Sequence, residues 1–396
     1  MERVRVAVVG GGQAGLAVSH ELRAHGVEHV VLERGRVGET WRSRWESFCL
    51  VTPNWTVQLP GQAYDGPEPD GFMPRDEIVG FLERYAQSAP VREGVEVEAV
   101  EPGDPFLLRT SEGELRADAV VVASGSYRRP HLPAEAATLP DGLHRLTADE
   151  YRSPDALPDG AVLVVGSGQS GCQIAEELHE AGREVVLSCG RAPWFPRRHG
   201  GRDLLWWALE TGFLDGSVDA LPGPEARLGA NLLASGRDGG HDLHLRVLRN
   251  RGVTLAGRFL GVEGSRARFA DDLAASVGWG DDRYRELVRL FGGLARERGL
   301  DTTFEEPEPF DATAPDGVDL GRLGAVVFTS GFRPDYASWL PPAAFDGLGF
   351  PLQRDGESTV VPNLHFVGVH FLRKRKSALL VGVGEDAAVV ASRIAA

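Results

Sequence analysis

Residues 161–182, AVLVVGSGQSGCQIAEELHEAG, decide the fold. Five apolar residues read as a strand covered on both faces, and Gly166-x-Gly168-x-x-Gly171 reads as a tight turn. Ile174, Ala175 and Leu178 then set a helical spacing. The chain opens on a near copy, VRVAVVGGGQAGLAVSHELRAHG at 4–26, with Gly10-x-Gly12-x-x-Gly15 and Leu16, Val18 and Leu22 on its helix. In such a unit the first glycine permits the turn, the second lets backbone approach a pyrophosphate, and the third lets helix pack on strand. The helix start, Gln13-Ala14 in one copy and Gln169-Ser170 in the other, offers unpaired N–H groups to an anion. The pattern predicts an α/β chain with two Rossmann-like dinucleotide-binding domains.

The copies differ after the next strand. HVVLE ends at Glu33, followed by Arg34, and a carboxylate there suits free ribose hydroxyls, as in FAD or NAD. REVVLSCG instead leads to Arg191, with Arg197 and Arg198 behind it. An arginine holds a 2′-phosphate that a carboxylate would repel, so the second site reads as NADPH-binding, with Arg191 as the phosphate ligand. Arg197 and Arg198 fit a solvated loop equally well.

Elsewhere, ADAVVVASG at 117–125 ends in Ser124-Gly125, and GAVVFTSGF at 324–332 repeats that ending around Gly331. Helical patterns run over 75–86, 204–210 and 284–298, with strands near 95–100, 106–110 and 364–369. SGRDGGHD at 235–242 reads as a glycine-rich linker, and a small-residue helix begins at Gly384.

With 396 residues and 42% hydrophobic content the chain is long enough for two or more domains. A formal charge of -15, from 42 basic against 57 acidic residues, argues against nucleic-acid binding. Cys49, Cys172 and Cys189 have no CxxC or metal spacing, and His241 and His244 alone do not make a metal site, so no metal is expected. No signal-peptide pattern and no long apolar run is present, which predicts a cytoplasmic protein without membrane insertion. The only lysines, Lys374 and Lys376, lie in RKRK at 373–376, which reads as a solvated turn, a cationic wall beside the flavin, or a dock for an acidic carrier.

The order of the two turns, the segment GETWRSRWESFCLVTP at 38–53, the two Ser-Gly strand ends and the closing HFVGVHF…GVGEDAA resemble the flavin-containing monooxygenases. They are more similar still to a bacterial branch of flavoproteins often labelled with potassium transport. The resemblance implies an FAD domain built from residues 1–153 and 323–396, with an NADPH domain over 154–322 between them. It implies that Gly10, Gly12, Gly15 and Glu33 hold the FAD pyrophosphate and ribose, and that Trp41 and Arg42 lie beside the flavin. Asn54 falls near the reactive edge, and Gly368 approaches the ribityl or pyrophosphate portion. Trp41 and Trp45 also fit ordinary core packing.

By the same likeness, NADPH reduces FAD, and O2 as co-substrate gives one atom to a small organic substrate through a flavin C4a-hydroperoxide. A reductase and a nucleotide-sensing regulatory subunit share the architecture, and a homodimer is compatible with it. One departure stands out. In the FxGxxxHxxxY motif expected between the domains, Tyr151 ends the motif but Thr147 stands at the histidine position.

Overall fold

The computed structural model describes residues 2–396. Its first sheet runs, in space, Gln353–Arg354, Glu357–Ser358, Leu364–Phe366, Gly113–Val122, Glu2–Val9, His29–Glu33 and Val91–Glu93, with Val97–Glu101 and Phe106–Thr110 folded on as an antiparallel extension. Glu2–Val9 is parallel to both neighbours, with Val9 beside Leu32 and Val122. Its side chains alternate between two cores. Val6 and Val8 face the helices Gln13–Ala24, Arg75–Ala86 and Val383–Ala395, while Ala7 and Val9 face a core that holds Tyr336, Phe345 and Phe350. Burial on both faces is why this strand is continuously apolar.

The second sheet is parallel and runs His144–Thr147, Leu323–Phe328, Ala161–Val165, Val185–Ser188, Thr254–Ala256. Val162 and Val164 pack on the side of helix Gln169–Glu180, and Leu163 and Val165 pack on the other side. A further core, of Phe195, Trp207, Tyr284 and Phe291, joins helices Leu204–Glu210 and Leu273–Glu297 beside this sheet. Among the described residues no helix is long and apolar enough to cross a membrane.

The sheet memberships correct the boundaries expected at 153/154 and 322/323. His144–Thr147 and Leu323–Phe328 both hydrogen-bond within the second sheet. The chain changes units earlier, and returns later, through Arg129–Pro130 and Phe332–Arg333, which pair antiparallel as a ribbon. Each ribbon strand begins just beyond a Ser-Gly strand end. The 235–242 segment is likewise no free linker. Gly236 lies so close to the first unit that a Cβ there would meet the Leu50 carbonyl oxygen at 1.9 Å, and Arg237 pairs with Glu180 at 2.9 Å.

Candidate functional site

The two glycine turns superimpose bond for bond. Gly10 donates to the Leu32 carbonyl at 2.8 Å and Ala123 to Val9 at 2.8 Å; Gly166 donates to Ser188 at 3.0 Å and Thr329 to Val165 at 2.8 Å. Gly10 and Gly166 have φ of +116° and +113°, and a Cβ on either would lie 2.6 or 2.7 Å from the carbonyl oxygen of Ala123 or Thr329. A Cβ on Gly15 or Gly171 would fall 1.8 or 1.9 Å from the carbonyl oxygen of Gly10 or Gly166. These four glycines are required by the fold itself.

Gly12 and Gly168 are different. Their φ values, -86° and -72°, suit any residue. A Cβ on Gly12 would meet nothing within 4 Å, and one on Gly168 only the Ala230 Cβ at 3.9 Å. Protein packing gives no reason for glycine there, whereas the helices that follow have no side-chain cap on their first amides. An open cradle under uncapped N–H groups fits a dinucleotide pyrophosphate at each turn. At the Ser-Gly strand ends, Gly125 and Gly331 have φ of +76° and +85° with no atom within 4 Å of a Cβ. The buried Ser124 hydroxyl has no protein partner among the described residues, and Ser330 makes a long contact of 3.3 Å to Val165.

Glu33 accepts the Gly11 amide at 2.6 Å and the Gly35 amide at 2.8 Å, one on each oxygen, which fixes its carboxylate below the first cradle. In the second turn the Ser167 hydroxyl takes that bracing role and accepts the Gly190 amide at 2.9 Å. Arg191 and Arg34 are exposed without a protein partner among the described residues, so both are free to meet a ligand. Arg197 and Arg198 are not. Arg197 is 1% exposed, pairs with Asp203 at 2.7 Å, donates to Val51 at 2.6 Å and lies over the Phe72 ring at 4.4 Å. Arg198 donates to the Gly239 and Gly240 carbonyls.

The glutamines of the two turns act as ties. Gln13 donates to the Ala378 carbonyl at 2.8 Å and accepts from the Trp41 indole at 2.8 Å, which joins the first turn to the 38–53 segment and the C-terminal part. Gln169 exchanges hydrogen bonds with the Ala234 backbone, while Ser170 at the same helix start is half-buried. Gly368, with φ +77°, comes so near that helix start that a Cβ would lie 2.5 Å from the Ala14 Cβ.

Two residues expected against the flavin are committed elsewhere. Arg42 pairs with Glu83 on helix Arg75–Ala86 and donates to the Val37 carbonyl at 3.3 Å. Asn54 is 3% exposed; its Nδ2 donates to the Glu68 carbonyl at 2.9 Å and its Oδ1 accepts the Met73 amide at 2.7 Å. The amide pins loop 68–73 and is not presented to a cleft. Trp45 is core, set edge-on to Phe48 at 5.0 Å. Thr147 closes its strand with its hydroxyl 2.6 Å from Asp149 and 2.7 Å from Glu150, and the buried Tyr151 donates to Glu177 at 3.0 Å.

The RKRK turn is neither solvated nor free to dock a carrier. Lys374 and Lys376 share Asp215 and Glu385, Arg373 pairs with Asp386 at 3.1 Å, and Arg375 lies between the rings of Phe213 and Phe371. His241 bonds to the buried Glu176 at 2.8 Å, which raises its pKa, while the His244 ring lies 4.4 Å from the Trp194 ring, tilted by 32°, and burial pushes it down to about 4. Burial also raises all three thiols, Cys49 to about 11 and Cys189 to about 12.

Where the C-terminal ends of the two sheets face each other lies a group that sequence spacing does not single out. Tyr127, two residues past Gly125, is 44% exposed although its ring meets Phe332 of the second unit and His370 at 5.9 Å each. His370 is two residues past Gly368, and burial pushes it down to about 4, so it is neutral near pH 7. The Tyr127 hydroxyl lies 3.4 Å from the His370 Nδ1. An aromatic that touches both units and yet remains open to solvent lines a cleft, and the signal for it was its place just beyond a strand end.

Residues 7–202, which hold both turns, match the model of the pyridine nucleotide-disulphide oxidoreductase family. An oxidoreductase described as CzcO-like from Geobacillus kaustophilus is 31% identical over 391 residues, covering 97% of this chain and 96% of that protein. A flavin-containing monooxygenase from Stenotrophomonas maltophilia shares the fold with a TM-score of 0.70 at 20% identity, over 100% of this chain and 98% of that one. Bacillithiol disulfide reductase from Bacillus cereus shares it with a TM-score of 0.65 at 15% identity, over 100% and 99%.

Proposed function

The chain belongs to the family of CzcO-like oxidoreductases, and from that premise we propose that it is an FAD- and NADPH-dependent monooxygenase of small organic molecules. In the balanced reaction NADPH supplies two electrons, one oxygen atom of O2 enters the substrate and the other leaves as water. One observation carries the reading: two cradles with the same glycine geometry diverge where a ribose would lie, at Glu33 in one and at Cys189 and the exposed Arg191 in the other.

FAD, when bound, supplies the electron transfer and the reaction with O2. The chain's own residues bind and orient. Glu33, braced by two amides, meets the ribose hydroxyls, and the uncapped start of helix Gln13–Ala24 meets the pyrophosphate. Arg191 holds the 2′-phosphate of NADPH with charge-assisted bonds. Asn54 is a positioning residue that acts through loop 68–73. Tyr127, Phe332 and His370 wall the space between the units and limit water there.

A disulfide reductase is disfavoured because all three cysteines are buried, with thiols raised out of the reactive range. The test is NADPH oxidation under isotope-labelled O2 with thioanisole, a tertiary amine and a cyclic ketone as oxygen acceptors. A labelled oxygen in product, near one per NADPH, is the expected result. NADPH consumption that yields only H2O2, or that needs a quinone acceptor and labels nothing, would replace this reading with a reductase.

A further inference from the structure

We propose that a cavity at the outer edge of the second sheet binds a small zwitterion with an apolar body, namely an amino acid with an apolar side chain, apart from the cleft between the units. The inference goes beyond the monooxygenase reading and does not depend on it. Strand His144–Thr147 is the outermost of its sheet, and its last residue, together with Phe328 at the end of the neighbouring strand, lines a cavity of about 400 Å3. C-terminal strand ends are where α/β sheets take ligands, and the volume lies in the range of small-molecule sites. Among the described residues, none from either glycine turn and none of Tyr127, Phe332 and His370 lines it.

The walls set the class of occupant. Leu132, Pro133, Ala136, Leu146 and Phe328 make them largely apolar. The space is open because the turn Ala134–Thr138 contributes only methyl groups, from Ala134, Ala136 and Ala137. Leu132 is 49% exposed, so an apolar body laid against it takes wall and ligand out of water together.

Arg145 and Glu150 line the same cavity with opposite charges. Among the described residues no contact within 4.0 Å joins them, and the one carboxylate that reaches Arg145 is the fully solvated Asp141, at 3.5 Å. Glu150 is held in place: its Oε2 accepts the Thr147 amide at 2.8 Å and lies 2.7 Å from the Thr147 hydroxyl, which leaves Oε1 for a ligand. A molecule with both a carboxylate and an ammonium meets both groups, whereas a simple acid or amine meets one. The two charges stay at the solvent side, so the head groups of such a ligand keep part of their hydration.

Calorimetric titration of the FAD-loaded protein, without NADPH, uses L-phenylalanine, phenethylamine, hydrocinnamate and glycine. L-Phenylalanine should bind one to one. Phenethylamine lacks the carboxylate and hydrocinnamate the ammonium, and each should bind at least about threefold more weakly, as for a partly solvated charge pair. Glycine, with no apolar body, should not bind measurably. Arg145→Gln should remove only the advantage over phenethylamine. Glu150→Gln keeps an oxygen for the Thr147 amide and should remove only the advantage over hydrocinnamate. Ala137→Phe, at an exposed turn position, should fill the cavity and abolish binding, while Tyr127→Ala in the cleft should leave it unchanged.

Failure of L-phenylalanine to bind, or equal affinity for either single-charge analogue, would overturn the zwitterion site. Binding that survives Ala137→Phe and is lost in Tyr127→Ala would place the ligand in the cleft and sink the assignment. These titrations involve no turnover, so absence of labelled oxygen in any product would overturn the monooxygenase reading and leave the binding ratios as they are.

Discussion

Cys189 occupies, in the second sheet, the place that Glu33 holds in the first. Gly10 donates to Leu32 and Gly166 to Ser188, so the residues that follow those acceptors, Glu33 and Cys189, are equivalent. Around that substitution the bracing also changes, from a carboxylate that accepts two amides to a serine hydroxyl that accepts one. On the proposed function, one cradle would present a negative group to a ribose, and the other would leave room for a phosphate.

Replacing Glu33 with alanine strands the Gly11 and Gly35 amides, which costs about 1–3 kcal/mol of stability for each that stays buried and unpaired. Flavin retention should fall with it. Flavin absorbance after gel filtration and the urea midpoint measure the two effects, and a variant that keeps stoichiometric flavin at an unchanged midpoint would remove Glu33 from the site.

Arg191 and Arg197 should behave as opposites. With no protein partner to lose, Arg191→Gln leaves stability unchanged and raises the KM for NADPH by about 10- to 100-fold, the worth of a charged hydrogen bond, while KM for NADH stays put. Arg197→Gln breaks a buried pair with Asp203 and costs about 3–5 kcal/mol of stability. Steady-state kinetics with both nucleotides, alongside urea denaturation, distinguish the roles.

Gly12 and Gly15 separate binding from folding. Gly12→Ala adds a methyl to open space at an ordinary φ, so the fold should be kept, with stability changed by at most about 1 kcal/mol. The same methyl stands where the pyrophosphate must approach, and FAD should be lost. Gly15→Ala puts a Cβ 1.8 Å from the Gly10 carbonyl oxygen and should prevent the first unit from folding. Circular dichroism with flavin content reads both; retention of FAD by Gly12→Ala would argue against the cradle.

The glycine turns were legible in the sequence because sterics leave no alternative at Gly10, Gly15, Gly166 and Gly171. Helix Leu204–Glu210 was legible because it starts on Asp203, whose side chain accepts the Leu205 amide. The unit boundary was not. His144–Thr147 shows no apolar run, since only Leu146 among its four residues is buried, and it becomes a strand by lying alongside Leu323–Phe328. Arg197, Arg42 and Asn54 were misread for a related reason. Their partners Asp203 and Phe72, Glu83, and the 68–73 backbone are fixed by tertiary contacts that residue spacing does not encode.

Acid should destabilise this protein in part through its most strongly shifted histidines. Burial pushes His244, His365 and His370 from an ordinary 6.5 down to about 4, so the folded chain keeps them neutral where the unfolded chain takes up protons. Their contribution is complete above about pH 6.5 and is lost as pH falls towards 4, with a slope of up to about 1.4 kcal/mol per pH unit for each. His241 has the opposite sign. Glu176 raises its pKa, so its stabilisation is present below about pH 6.5 and fades as pH rises through the folded value, which leaves the optimum near neutrality. Urea midpoints from about pH 4.5 to 8 trace both limbs. His244→Phe keeps the ring contact with Trp194 and removes a buried Nδ1 that has no partner among the described residues, so it should flatten the acid limb without loss of stability at pH 7. An acid limb as steep in that variant as in the parent would show that His244 is not one of the groups that drive it.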